Sequence, residues 1–260
     1  MIAIFDSGYG GLTVLKPILE LLPQYDYLYL GDNARAPYGS HSAETIYDFS
    51  EQAVRYLQNR GATLIIFACN TASASALRKI QQNYEKVLGV LVPVAEAAAN
   101  AGNNIGLVGT KATIDSKAYE EKIHELNPKV KIHSQACPQL APLIEKGKHH
   151  NSEALDILQK YLEPLKSANL DALILGCTHY PLMINHFKQI MGKEVRILNC
   201  GKIAAESLRK YLSIHPEIDS QLPKTASRKF LATGQPESMK KFIEKNFDIK
   251  LKMPEKISLI

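Results

Sequence analysis

The chain has 260 residues, 45% of them hydrophobic and 22% charged, the profile of a globular protein with one large α/β domain or two compact lobes, not of a disordered or fibrous one. Lys plus Arg number 31 and Asp plus Glu 26, a formal charge of +5. That mild excess lacks the clustered basic and aromatic residues of a nucleic-acid binder, and it fits an acidic small molecule without requiring one. The N-terminus, MIAIFDSGYGG, carries no basic leader and no apolar run long enough to span a bilayer. The chain is therefore expected in the cytosol and off the membrane, with its four cysteines, Cys69, Cys137, Cys177 and Cys200, as free thiols. None forms a C-x-x-C pair, so a structural zinc site is not expected.

In chain order, apolar runs at 2–5 and 27–30 predict two strands, and the pattern at 44–59 a helix. A strand at 64–68 and a helix at 72–83 follow, then a strand at 105–108 and a helix at 115–126. Strands at 131–135, 172–175, 195–198 and 229–232 alternate with helices at 152–167, 181–191, 202–211 and 236–246. Strand, loop and helix in repetition predict mainly parallel sheets covered by helices. In such sheets ligands bind beyond the carboxyl ends of the strands.

Those strand ends show a faint internal repeat. LIIFACNT at 64–71 resembles LILGCTH at 173–179, and IAIFDS at 2–7 resembles IGLVGT at 105–110. Any two buried strands look somewhat alike, so chance similarity stands beside duplication. The expected organisation is two pseudo-symmetric lobes with the active site in the cleft between them. Residues 1–95 plus 208–260 form the first lobe and 96–207 the second, with a crossover after Val92-Pro93 and a return near 205–208.

Two thiols facing each other across a cleft can invert a carbon stereocentre. One sulfur removes the α-proton from one face while the other returns a proton to the opposite face. A free thiol has a pKa near 8.5, so modest tuning reaches either state. Asp6 at the first strand end could orient or relay a proton near Cys69, and His179 could do so near Cys177. Asn70, Thr71, Thr178 and the amides that open the following helices suit an anionic carboxylate. Ordinary structural readings stand beside each of these. A strand-end Cys is usually a small buried residue, the role expected of Cys137 and Cys200. Asp6 can be a turn or N-cap acid, and His179 a satisfied turn histidine. Ser7-Gly8-Tyr9-Gly10-Gly11 can be a tight turn, since it lacks the Lys of a phosphate loop. His149-His150 reads as a solvated face. A metal on Cys177 and His179 lacks a further ligand cluster, so no metal is expected.

The stretches DSGYGGL from Asp6, GDNARAPYG from Gly31, ACNTASA from Ala68, GTKATI from Gly109, ACPQLAPLIE from Ala136 and LGCTHYPL from Leu175 together resemble glutamate racemase, within the aspartate/glutamate racemase superfamily. They stand in the family order across most of the chain, and the ending ATGQPESMKKF is similar to the family's final strand and helix. One departure is Val92-Pro93-Val94, where many members carry Glu-Pro-Gly. The resemblance implies Cys69 and Cys177 as catalytic acid/bases, Cys69 acting on the D-isomer and Cys177 on the L-isomer, with Asp6 and His179 assisting. It implies substrate contacts from Asp6, Ser7, Tyr38, Gly39, Asn70, Thr71, Thr178 and His179, and pocket positions for Thr110, Thr113 and Glu145. It further implies no pyridoxal phosphate, no metal, D-glutamate for peptidoglycan and a homodimer. Only five residues precede Asp6, so control through an N-terminal extension, found in members activated by a cell-wall precursor, is not expected. A racemase of the same superfamily acting on aspartate, another amino acid or a hydantoin stays open. So does a non-catalytic module that closes on an anionic metabolite, although binding alone needs no paired thiols.

Overall fold

Ile2–Asp6 form the first strand, β1, and all five residues are buried. The computed structural model describes residues 1–247, 249 and 251–259. β1 shows why the apolar runs are continuous. Ile2 and Ile4 point into one hydrophobic cluster, whereas Ala3 and Phe5 point into another on the opposite face. Side chains alternate along a strand, so a strand covered on both faces must be apolar at every position.

The first lobe's sheet also contains β2 (Tyr27–Gly31), β3 (Leu64–Phe67) and β4 (Val87–Gly89). The second lobe's sheet contains β5 (Asn104–Gly109), β6 (Lys131–Ala136), β7 (Ala172–Gly176) and β8 (Arg196–Leu198). The chain then returns to the first sheet with β9 (Arg228–Ala232) and β10 (Glu255–Lys256). The orders are β10-β9-β2-β1-β3-β4 and β6-β5-β7-β8, and every pairing among the described residues is parallel.

The repeat suspected at the strand ends is a repeat of topology. Four strands of the first sheet run in the order second, first, third, fourth, and so do the four of the second sheet. Ile2 pairs with Leu64, and Ile105 with Ala172. The spacing from Leu64 to Ala172 equals that from Cys69 to Cys177. Both cysteines thus follow the third strand of their own sheet.

Several elements depart from the predicted ones. The helix Leu12–Leu21, with Pro17 inside it, was not among the expected elements; the glycines before it read as a tight turn. The span predicted as one helix at 72–83 is two, Asn70–Ser75 and Leu77–Ile80, broken at Ala76. The span at 115–126 is divided by Lys117, whose φ of 58° is left-handed, into Lys111–Asp115 and Ala118–Leu126. The crossover after Val92-Pro93 is itself a helix, Leu91–Ala99, with Pro93 in its first turn, where its missing N–H costs no bond. Its buried Leu91, Val94, Ala95 and Ala98 pack with β5 and β7. His149, read as part of a solvated face, is buried, with its ring centroid 4.1 Å from that of His150 and tilted 45° to it.

The helices Leu12–Leu21 and Cys200–Ile214 share one cluster. Pro17 cannot donate to the carbonyl of Thr13. Gly201 packs onto that same carbonyl, and a Cβ there would lie 2.2 Å from the Thr13 oxygen and 3.2 Å from Pro17 Cγ. Gly201→Ala should therefore push the helices apart and cost about 1–3 kcal/mol. A urea midpoint that falls with an unchanged m-value is the expected result, and an unchanged midpoint would refute this close-packing argument.

Candidate active site

Cys69 stands two residues past β3, where it is the N-cap of the helix Asn70–Ser75. Its Sγ accepts from the amide of Ala72 at 3.4 Å and donates to Ser7 Oγ at 3.3 Å. Cys177 directly follows β7, with its Sγ 3.8 Å from Nδ1 of His179. The other ring nitrogen of His179 lies 3.0 Å from Glu145 Oε1. Both sulfurs line one small cavity together with Ser7, Pro37, Tyr38, Gly39, Asn70, Thr71, Thr110, Ala141, Glu145, Thr178 and His179. Cys69 is 4% and Cys177 6% exposed. The free volume inside is about 20 Å³, roughly the room one water needs.

Of the thirteen residues singled out from the sequence, eleven line this cavity, while Asp6 and Thr113 stand behind its wall. Asp6 is fully buried at the end of β1. Its carboxylate accepts from the Gly8 amide at 3.0 Å and from Thr178 Oγ1 at 3.1 Å. It was expected to serve Cys69, yet its direct bonds reach the residue that follows Cys177, and it is Ser7 that touches the Cys69 thiol. Thr113 braces the opposite wall: its hydroxyl is 2.9 Å from that of Thr110, and Thr71 Oγ1 is 2.9 Å from Thr110 and 3.2 Å from Thr113. Bonds thus join the lobes at the cavity, among them those of Thr178 with Asp6 and of Thr71 with Thr110.

Pro37 and Ala141 also line the cavity but were not singled out. Both lie inside the motif stretches, where apolar wall residues carry no chemical signal of their own. Behind Tyr38 lies a network of residues that stand inside the motif stretches but were not singled out. The Tyr38 hydroxyl donates to buried Asp32, which also accepts from Arg35 Nε at 2.7 Å and from Thr233 Oγ1 at 2.7 Å. Gly39 allows the loop to approach the second lobe, since a Cβ there would lie 2.4 Å from Thr110 Cβ. Cys137 and Cys200 bond backbone carbonyls outside the cavity, those of Gln135 at 3.7 Å and Leu175 at 3.4 Å. Val92, Pro93 and Val94 line no part of the cavity. Among the described residues, no group of three His, Cys, Asp or Glu could hold a metal ion.

Electrostatics divide the two sulfurs. Among the described residues, neither Lys nor Arg lines the cavity. Burial, followed by the negative charge of Asp6, pushes the Cys69 thiol up to about 12, while the bonds from Ser7 and the Ala72 amide only partly oppose this. Burial also raises the Asp6 carboxyl, and the charge of His179 and the bonds from Gly11, Gly8 and Thr178 moderate that shift. At His179 burial disfavours the charged ring, but the bonds to Cys177 and Glu145 outweigh it and hold the imidazole well above its usual value. One side of the cavity therefore offers a proton-bearing thiol, and the other a sulfur beside an imidazolium.

A thiol with a pKa near 12 has on the order of 10³-fold less thiolate at pH 8 than a free cysteine. Alkylation of Cys69 by iodoacetamide, followed by peptide mass spectrometry, should be correspondingly slow and should rise with pH without levelling off below about pH 10. A plateau near pH 8 would show that burial and Asp6 do not control this sulfur.

Known proteins match both chain and fold. The protein family described as Asp/Glu/Hydantoin racemase matches residues 12–208. A glutamate racemase of Streptococcus suis is 38% identical over 94% of this chain and 93% of its own length. One of Geobacter metallireducens is 44% identical over 80% of each. The crystal structure of the glutamate racemase of Francisella tularensis in complex with D-glutamate superposes with a TM-score of 0.91 at 32% identity, over 99% of this chain and 97% of that one. With thiols at the ends of equivalent strands, two sheets of matching order and similarity over nearly its whole length, the chain belongs to the Asp/Glu/Hydantoin racemase family, among the glutamate racemases.

Proposed function

We propose that this chain is a cofactor-independent glutamate racemase that interconverts L- and D-glutamate by two-base proton transfer between Cys69 and Cys177. The observation that carries the reading is the placement of two buried thiols, one from each lobe, on a single cavity whose other polar walls are hydroxyls, an amide, Glu145 and His179. The D-glutamate bound to the Francisella tularensis relative supports the substrate. The role in peptidoglycan synthesis, the cytosolic location and the homodimer rest on the family resemblance. No described helix is long and apolar enough to cross a membrane. The division into residues 1–95 with 208–260 and residues 96–207 is supported by strand membership, β1–β4, β9 and β10 against β5–β8.

In this reading Asn70, Thr71, Thr178 and nearby amides hold the carboxylates, and the α-carbon lies between the sulfurs. A thiolate takes the α-proton from one face, leaving a carbanion, and the opposite thiol gives its proton to the other face. The donor thus ends as a thiolate, and the enzyme is ready for the reverse reaction. Deprotonation of Cys69 requires a positive charge that the cavity wall does not supply through Lys or Arg. The substrate's α-ammonium group supplies one on binding. At the other face, His179 offers an N–H to the Cys177 sulfur once that sulfur has given up its proton, and Glu145 keeps the ring oriented.

Purified protein should racemise L-glutamate faster than L-aspartate or L-alanine, followed by circular dichroism or a D-specific coupled assay. A preference for either competitor would overturn the substrate assignment. Serine has a far higher pKa than cysteine, so Cys69→Ser and Cys177→Ser should each lower racemisation by about 10²- to 10⁴-fold. A substrate analogue that eliminates a leaving group after deprotonation separates the two faces. Cys69→Ser should still process the L-form through Cys177, and Cys177→Ser the D-form through Cys69. The same enantiomer preference in both variants would exclude one sulfur per face.

A further inference from the structure

Tyr119 belongs to the helix Ala118–Leu126 and is fully buried in the second-lobe cluster behind β5 and β7. Its hydroxyl nevertheless reaches out of that cluster to donate to Oδ1 of Asn70 at 2.6 Å. Asn70 is the residue after Cys69 and opens a helix of the first lobe. With Oδ1 engaged, the amide's other end is Nδ2, which is buried and has no partner among the described residues, and Asn70 lines the cavity. A buried N–H donor without an acceptor is unfavourable, and that deficit disappears when a ligand supplies an acceptor.

A carboxamide has two orientations, related by a flip, which exchange its donor and acceptor ends. One end attracts a carboxylate, and the other repels it. Among the described residues, the Tyr119 hydroxyl is what bonds the Asn70 side chain and selects between them. Burial holds the Tyr119 hydroxyl well above the ordinary tyrosine pKa, so it keeps its proton and remains able to donate. A donor on Oδ1 leaves the two N–H groups of Nδ2 for the ligand.

We propose that Tyr119 is a positioning residue: it fixes the Asn70 carboxamide with its N–H groups toward the cavity, so that this amide can hold a substrate carboxylate only while the second lobe is docked against it. The proposal rests on the reading of the cavity as the glutamate site. Tyr119 touches no substrate atom and acts through Asn70 alone. Its contribution is to binding that ground state and transition state share, and it therefore belongs in KM and not in kcat.

The test is a double-mutant cycle on racemisation of both glutamate enantiomers, with thermal midpoints measured alongside. Tyr119→Phe should raise KM about 3- to 10-fold and leave kcat within about 2-fold. In the Asn70→Ala background, Tyr119→Phe should raise KM no further. An equal KM increase in both backgrounds would overturn the proposal, and so would a lowered midpoint with KM unchanged, since either would mean that the hydroxyl acts by packing or by another route. If Tyr119→Phe does not fold, Tyr119→Leu, which also lacks the hydroxyl, takes its place in the same cycle. If Asn70→Ala raises KM but Tyr119→Phe does not, only the role of Tyr119 falls. A wild-type protein inactive on glutamate removes the reading of the site, and this proposal with it.

Discussion

The rest of this structure depends on the desolvation of two sulfurs. A thiolate in a closed cavity loses its water, and the loss is large unless a cation or several hydrogen bonds replace it. The cavity has no Lys or Arg wall, and at Cys69 burial together with Asp6 drives the thiol well out of the range where it would ionise unaided. In the proposed mechanism Cys69 keeps its proton until a charge enters with the substrate. A fixed lysine beside each sulfur would ionise both at rest and leave neither as an acid. Water exclusion, which makes the thiolate hard to form, also leaves it a strong base against a weakly acidic C–H bond once formed.

A repeated topology solves the placement problem, and the loops break the symmetry. Two sheets of the same strand order deliver a cysteine at the end of the third strand of each. What surrounds each sulfur then differs. Cys69 has the neutral Ser7 hydroxyl and a helix-start amide, and Cys177 has an imidazole held by Glu145. A two-base reaction requires sulfurs equivalent over a full cycle but unlike at any instant. The strands supply the equivalence and the neighbours the difference.

Much of this was legible in the residues because parallel strands buried on both faces are written as unbroken apolar runs. LIIFACNT and LILGCTH show a strand ending in Cys before polar residues, and the observed register keeps that correspondence. Tyr38, Gly39, Thr110, Thr113 and Glu145 came only through the family resemblance, because their roles depend on contacts between segments far apart in the chain. Asp6 is expected near Cys69 in its own lobe, and its charge does act on that thiol, while its carboxylate also crosses to Thr178; a pattern within one segment does not show that second contact. The helix Leu12–Leu21 contains Pro17, and Gly201 of a distant helix packs at the Thr13 carbonyl that Pro17 leaves without an N–H donor. Tyr119 reads in AYEEKIHEL as an ordinary core aromatic, and only the fold reveals where its hydroxyl goes.

The cavity in this structure is too small for the substrate assigned to it. A free volume of about 20 Å³ holds about one water, so the walls must part for glutamate to enter. The sheets do not provide that movement, because their cores are close-packed and resist dilation. The lobes are joined at the cavity by hydrogen bonds, among them Thr178 to Asp6, Thr71 to Thr110 and Tyr119 to Asn70, each worth about 0.5–1.5 kcal/mol net. Parting the lobes there loses bonds that water can replace. It also releases the Asn70 carboxamide from Tyr119, so the grip on a carboxylate weakens as the site opens and is restored as it closes. In the proposed mechanism substrate binding and exclusion of water are coupled through the same few contacts.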